Sequence, residues 1–316
     1  MASTVEMRPM HLCVQTLPFE DPLEETLAFL GDLGVDGVDW HCDPEEYLGD
    51  PDAQAALLET FESAGVQLDL LGATGPNVLH PVEERASDAD EHLRATIELA
   101  DELGVGTVSA FSGLPGGGPT DGTPNWIVAP IPPGEQAGQY AYQWEEVAIP
   151  YWRDLAAFAD GHDVDVAIEI HVNMLVNSPP ALARLREATN ERIGAYVDPA
   201  HLWLQDVDPV ASVRYLAERD AIMHVEASDV VDYDENLRLR GRWDMTPMDD
   251  ELGRPWAFCT VGYGHGADEW GDLLATLDLV GYDGPVSVQQ LNTPQPLREG
   301  VAKGVRFLDD LVFQES

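Results

Sequence analysis

Lysine is almost missing from this 316-residue chain, because only Lys303 among its 16 basic residues is a lysine. Cysteine is also rare, and Cys13, Cys42 and Cys259 are scattered without a CxxC spacing. This usage predicts a reduced, cytoplasmic protein. The chain has no apolar run long enough for a membrane span, and MASTVEMRPM at its start has no signal-peptide character. We therefore expect no membrane partner.

Basic residues are scarce in general, because the chain has 58 acidic residues but only 16 lysines and arginines, and its net charge is −42. The acids are spread over nearly every predicted helix and do not form a tail. Repulsion of this size is costly in dilute salt but is screened within ~3 Å at 1 M salt. The composition is similar to that of halophilic proteins, and we expect a halophilic origin. A uniformly anionic surface also argues against a nucleic-acid partner.

Short apolar runs alternate with amphipathic helices along the whole chain. The first strand run is 11–16, and the last helix covers 297–313. Eight strands in alternation with eight helices predict an α/β fold, a single (β/α)8 TIM barrel domain over 1–316. Two long connections, 114–143 and 229–266, follow the fourth and seventh predicted strands. Barrel sites are built on that face, so we predict that both are active-site loops.

Four polar side chains stand at the ends of the last four predicted strands. They are Glu169, Asp198, Glu226 and Gln289. Because parallel barrel strands all end at the same face, these side chains are expected to converge. Acids gathered in this way repel one another and favour a bound cation. The sequence therefore predicts a metal-dependent enzyme.

Several longer strings point to one family. They are GPNVLHP (75–81), TIELADELGVGTVSAFSGLPG (96–116), WEEVAIPYW (144–152), VDPAHL (197–202) and TVGYGH (260–265). These strings resemble the xylose isomerase-like TIM barrels, a family of sugar phosphate isomerases and epimerases. The resemblance covers most of the chain. It implies an isomerase or epimerase that acts on a ketose or keto-sugar through a metal-stabilised enediolate. Barrels of this family often pair, which leaves a homo-oligomer open.

In ketose epimerases of this kind, Glu, Asp, His and Glu at the ends of strands five to eight hold the metal. Glu169 and Asp198 match the first two ligands, whereas Glu226 replaces the His and Gln289 replaces the last Glu. The two exchanges leave the summed charge of the ligands unchanged. An all-oxygen set favours hard cations. We therefore expect one divalent cation, Mn²⁺ or Mg²⁺ rather than Zn²⁺.

The resemblance implies two catalytic carboxylates, and Glu169 matches one of them. We expect Glu226 to be the second, although it projects from a different strand than the family's second base. Gln289 cannot take the family's second role, because an amide does not accept a proton near neutral pH. This argues against simple two-base epimerisation and favours one-base chemistry. Two alternatives stay open: a metal-dependent dehydratase (lyase) of a keto-sugar or inosose, and a non-catalytic carbohydrate-binding barrel with a degenerate metal site.

Further residues are expected to line a carbohydrate-binding pocket at the mouth. They are His201, His171, His80, His265, Arg254 and Trp256. His201 matches a substrate-contacting His of the family, and His171 shares the side of its strand with Glu169. For the histidines, the alternative is a polar rim residue without a substrate contact. Arg254 is expected to hold a phosphate or carboxylate or to pair with surface acids.

Overall fold

The computed structural model describes residues 10–130, 134–291 and 293–312. Eight parallel strands close into a barrel in chain order. They are β1 His11–Gln15, β2 Gly37–His41, β3 Gln67–Gly72, β4 Thr107–Phe111, β5 Asp165–Glu169, β6 Ile193–Val197, β7 Ile222–Ala227 and β10 Pro285–Val288. The TIM barrel predicted from the sequence is confirmed.

Helices surround the barrel. They are α1 Leu23–Leu33, α2 Pro51–Ala64, α3 Glu83–Leu103, α4 Glu135–Tyr142, α5 Ile149–Gly161, α6 Pro179–Ala188, α7 Pro199–Trp203, α8 Pro209–Ala217, α9 Asp234–Arg240, α10 Ala267–Leu279 and α11 Leu297–Asp309. Three of them begin at Asp–Pro, where the aspartate accepts first-turn N–H groups and proline needs no acceptor. Among the described residues, no helix has the length and apolarity to cross a bilayer.

The long connection after β4 is partly helical. The sequence predicted a loop over 114–143, but α4 already begins at Glu135. It continues into α5 through a π-helical stretch, Gln143–Ala148, which ends just before Pro150. Proline lacks the N–H of a regular turn, and a wider turn is one way to pass it. Residues 131–133 lie outside the described residues.

The connection after β7 contains a second, small sheet. β8 Asp229–Asp232 and β9 Trp256–Cys259 pair in antiparallel fashion, with Asp229 opposite Cys259 and Asp232 opposite Trp256. The helix α9 lies between them in the chain. β8 begins two residues after β7 ends, so this hairpin stands beside the mouth of the barrel.

The interior of the barrel contains a small apolar layer beneath its mouth. Leu70, Ala167 and Tyr196 form a small buried cluster, separate from the large core between strands and helices. Glu169 and Asp198 come two residues after Ala167 and Tyr196. Because side chains alternate along a strand, both acids continue the inward row toward the mouth.

Candidate functional site

Three carboxylates meet at the mouth of the barrel. Glu169, Asp198 and Glu226 each bring an oxygen to within 4.8 Å of the others. All three are buried, with exposures of 4%, 1% and 0%. Burial is the main cause that raises the pKa of each, and for Asp198 it raises the pKa to about 6. The charge of Asp198 further raises the pKa of both glutamates.

The hydrogen bonds of these carboxylates differ. Oδ1 of Asp198 accepts from the Ala200 N–H at 2.7 Å and from the Ser228 hydroxyl at 2.6 Å. Both oxygens of Glu226, by contrast, lack a hydrogen-bond partner within the described part of the chain. The Tyr196 hydroxyl lies close enough to lower the Glu226 pKa, but it donates its proton to Asp39 at 2.9 Å. A buried carboxylate without donors is costly, so Glu226 is suited to a cation or a ligand.

Two predicted histidines lie beside the carboxylates. Nε2 of His201 is 3.3 Å from Asp198 Oδ2 and 3.5 Å from Glu169 Oε1. The His171 ring lies against the His201 ring with centroids 3.7 Å apart and the ring planes tilted by 49°. Burial lowers the pKa of each histidine to about 3, so both are neutral at pH 7. Glu169, His171 and His201 also bring ligand atoms within 4.8 Å, which offers a second, nitrogen-containing donor set.

Gln289 follows the last barrel strand. In the sheet register, Ser287 of β10 pairs with Glu226 of β7. Gln289, two residues later, therefore lies in the inward row, and its N–H donates to the Ala227 carbonyl at 2.9 Å. The side chain is half-buried. Its part as a fourth ligand stays a prediction.

The small hairpin connects Arg254 and Trp256 to this cluster. The Phe258 ring packs edge-on against His201 at 5.8 Å, and Trp256 packs against Phe258 at 5.5 Å. The Arg254 guanidinium lies 4.4 Å from the centre of the Trp256 ring. These contacts form a row that leads from His201 along the hairpin.

His265 and His80 are held by other groups. Nδ1 of His265 is 2.8 Å from Asp229 Oδ1, and its ring stacks on Trp203 at 3.7 Å. Nδ1 of His80 accepts the N–H of Val82 at the start of α3. Neither ring belongs to the two donor groups above. The expectation that they contact substrate stays a prediction.

Sequence reasoning missed Asp39, a polar residue beneath Glu226. Asp39 of β2 is fully buried and accepts from Tyr196, and His224 stacks on the Tyr196 ring at 4.5 Å. Burial raises the Asp39 pKa to about 7. An acid inside the otherwise apolar run GVDW was the available signal. Ser228, which binds Asp198, gave no such signal.

The comparisons with known proteins agree with this architecture. A profile of the xylose isomerase-like TIM barrel family matches residues 27–311. The chain is 32% identical over 304 residues to the uncharacterised protein YfiH of Bacillus subtilis (strain 168), covering 93% of this chain and 96% of that protein. Each of these two matches extends over most of the chain.

Solved structures of several proteins share the fold. One is the probable 3-DHS dehydratase AsbF from Bacillus anthracis, with TM-score 0.67 and 14% identity, covering 95% of this chain and 99% of AsbF. A D-tagatose 3-epimerase-like protein has TM-score 0.64 and 18% identity, covering 96% and 97%. The IOLI protein, solved with a zinc atom, has TM-score 0.65 and 18% identity, covering 96% and 98%. At these identities the likeness concerns the fold alone. With the family profile and YfiH, however, the assignment is clear: the chain belongs to the xylose isomerase-like TIM barrel family.

Proposed function

We propose that this protein is a divalent-metal-dependent sugar isomerase or epimerase that moves a proton at a carbon beside a ketose or keto-sugar carbonyl. The observation that carries the proposal is the buried group of Glu169, Asp198 and Glu226. Membership of a family whose fold relatives include an epimerase-like protein and a probable dehydratase supports it.

The donor atoms fit a hard divalent cation. Three buried carboxylates can be ionised together only when a positive charge lies nearby. Glu169, Asp198 and Glu226, with Gln289 as the fourth donor, would hold Mn²⁺ or Mg²⁺. The histidine-containing set would suit Zn²⁺ better. We favour the oxygen set, because the other one would leave both oxygens of Glu226 buried without a partner.

The residues of the chain divide the proton transfer among them. A bound cation would offset the negative charge that develops on the sugar oxygens. Glu169 removes the proton from carbon as the general base. His201, 3.5 Å from Glu169 and neutral at pH 7, orients that carboxylate or a substrate hydroxyl. Glu226 is the second proton-transfer group.

Dehydration is the second candidate reaction. Gln289 stands where the family's second base is expected and cannot transfer a proton, so epimerisation at one carbon would depend on Glu226, which projects from a different strand. In this reaction Glu169 removes the proton beside the carbonyl, and the β-hydroxyl leaves as water with a proton from Glu226. The product is a conjugated enone with a new ultraviolet absorbance, which the isomerisation product lacks.

Metal binding tests the donor set. In calorimetric titrations of chelator-treated protein with Mn²⁺, Glu226→Gln, Glu169→Gln and Asp198→Asn are each expected to weaken binding at least tenfold, about 1.4 kcal/mol. Exposed Glu62 on α2 provides the control Glu62→Gln, which should bind like wild type. Loss of binding in His171→Gln together with full binding in Glu226→Gln would reject the oxygen set in favour of the histidine set.

Proton exchange tests the reaction. With Mn²⁺ in D₂O, deuterium is expected to enter a ketose, inosose or 3-keto-sugar beside its carbonyl. Glu169→Gln should slow this exchange at least about a hundredfold, the usual contribution of a general base. Glu62→Gln again serves as the control. If none of these carbonyl compounds exchanges in the wild type, the protein is the non-catalytic barrel and the proposal is wrong.

A further inference from the structure

Arg254 is unusual among the positive charges of this chain. Of the lysines and arginines in the described ranges, it is the buried one, with 4% exposure. Its guanidinium packs on Trp256, and within those ranges it forms neither an ion pair nor a hydrogen bond. Arg192 and Arg242, in contrast, each pair with two or more aspartates. The chain has 58 acidic residues, yet none of those that the structure describes forms an ion pair with Arg254.

The position of Arg254 relates it to the carboxylate cluster. Alternation along β9 puts Trp256 and Phe258 on one face of the hairpin, and the guanidinium of Arg254, two residues before the strand, packs on the Trp256 ring of that face. Val230, opposite Phe258, lies on the same face and packs with Ala200 of α7. That face also meets His201 through Phe258 at 5.8 Å. Arg254 is thus at the outer end of a row that starts at the cluster.

A buried, unpaired cation is unfavourable unless a ligand supplies the opposite charge. A planar guanidinium binds a carboxylate through two parallel N–H···O bonds, and stacking on Trp256 fixes its orientation. One arginine balances the single charge of a carboxylate. A phosphate dianion would leave one charge uncompensated in a protein of net charge −42.

We propose that the substrate carries a carboxylate group that Arg254 binds, while its carbonyl end lies at Glu169, Asp198 and Glu226. The substrate class is then a keto-sugar acid or a carboxylated cyclic keto-polyol. This inference rests on the proposed function, since it names the substrate of the same site. Arg254 acts in binding and specificity and does not transfer protons.

Binding of matched probes tests this directly. The probes are 5-keto-D-gluconate for the carboxylate, D-fructose 6-phosphate for the phosphate and D-fructose without charge, all titrated at one KCl concentration. Wild type should bind 5-keto-D-gluconate at least about tenfold more tightly than D-fructose, as expected for a charge-assisted pair. Arg254→Gln should remove that preference. Arg254→Lys should keep part of it, because lysine retains the charge but not the two-pronged geometry.

Exposed Arg214 on α8 supplies the control Arg214→Gln, which should keep the full preference. If wild type instead prefers D-fructose 6-phosphate and Arg254→Gln removes that preference, Arg254 binds a phosphate, and the proposal of a carboxylate is wrong. No saturable carboxylate binding by wild type, or the same preference in Arg254→Gln, would overturn the proposal entirely.

Stability separates a binding role from a structural one. If Arg254 serves to bind a ligand anion and not to stabilise the fold, Arg254→Gln should leave the Tm of the ligand-free protein within about 2 °C of wild type or raise it. A fall of more than about 5 °C would mean that the guanidinium supports the fold, and the proposal fails. Mn²⁺ affinity should be unchanged in Arg254→Gln. If wild type binds no Mn²⁺ but still prefers carboxylates through Arg254, the proposed metal-dependent reaction is wrong, whereas the inference about Arg254 holds.

Discussion

Asp198 has two tasks at once, and its two oxygens divide them. Oδ1 caps α7 by accepting the Ala200 N–H and also accepts from Ser228. Oδ2 faces Nε2 of His201 at 3.3 Å. The cap fixes the carboxylate, so its second oxygen is oriented before any ligand arrives. These same hydrogen bonds lower the pKa of Asp198 and partly offset the effect of burial.

The raised pKa of Asp198 makes the metal-free protein sensitive to pH. Its folded value is about 6, against an ordinary value of 3.8. Between these values the folded state keeps a proton that the unfolded chain has lost, so stability from this group falls as pH rises through that window. The penalty above it is at most about 3 kcal/mol. Asp198→Asn keeps a capping oxygen and should stabilise the metal-free protein by up to that amount near pH 7.5, measured by urea unfolding with EDTA.

Asp208 offers the matched control, because it caps α8 at the same Asp–Pro start but is exposed. Asp208→Asn should bring no gain at any pH. Near pH 4 the advantage of Asp198→Asn should disappear, and saturating Mn²⁺ should reverse it by stabilising the wild type. An Asp198→Asn protein no more stable than wild type in EDTA at pH 7.5 would contradict the raised pKa.

At the scale of elements, Asp229 joins the hairpin to the loop 260–265. Its buried carboxylate accepts the backbone N–H groups of Gly262, Gly264 and His265. Gly264 lies so close to Val230 that an added Cβ would be 2.1 Å from that carbonyl oxygen. The string TVGYGH is therefore explained by a close backbone approach and one buried acceptor.

Asp229→Asn should loosen this loop without touching the carboxylate cluster. The amide offers one acceptor oxygen instead of two, so the part-buried hydrogen bonds from the N–H groups of Gly262 and Gly264 are lost, at a cost of about 1–2 kcal/mol. Urea unfolding should report this loss, and hydrogen exchange should quicken at those two amides. Asp232→Asn, on the same strand but partly exposed and paired with Arg242, is the control. Protection of the two amides equal to wild type would rule out the anchoring role.

The elements that could be predicted from sequence are those with a local signal. Each barrel strand is a short apolar run, and Glu169 and Asp198 interrupt the pattern at strand ends. The hairpin has no such signal, because its four-residue strands pair across a connection of more than twenty residues. Asp39 was missed for a similar reason: its partner Tyr196 is 157 positions away in the chain. A contact between residues so far apart in the chain depends on closure of the barrel, and no periodic pattern in the sequence indicates it.

For the molecule as a whole, the acidic residues far outnumber the basic residues with which they could form ion pairs. Arg192 meets Asp160, Asp163 and Asp165 at the surface, and other arginines pair similarly. Such exposed pairs contribute little, and 16 basic residues cannot neutralise 58 acidic ones. Most carboxylates therefore face water and one another. The fold must tolerate this repulsion, and dissolved salt is the available means of reducing it.

We accordingly expect stability to depend strongly on salt. The Debye length falls from ~10 Å at 0.1 M to ~3 Å at 1 M, so the Tm should rise by on the order of 10 °C over that range of KCl and more slowly above it. A variant with Glu59 and Glu62 of α2 changed to Gln and Asp278 of α10 changed to Asn should start with a higher Tm and gain less from KCl. These exposed acids lie away from the helix N-termini, so their loss mainly removes repulsion. Sucrose, which is uncharged, should stabilise both proteins equally. A Tm independent of KCl, or equal gains in both proteins, would mean that the acidic surface serves some purpose other than folding in concentrated salt.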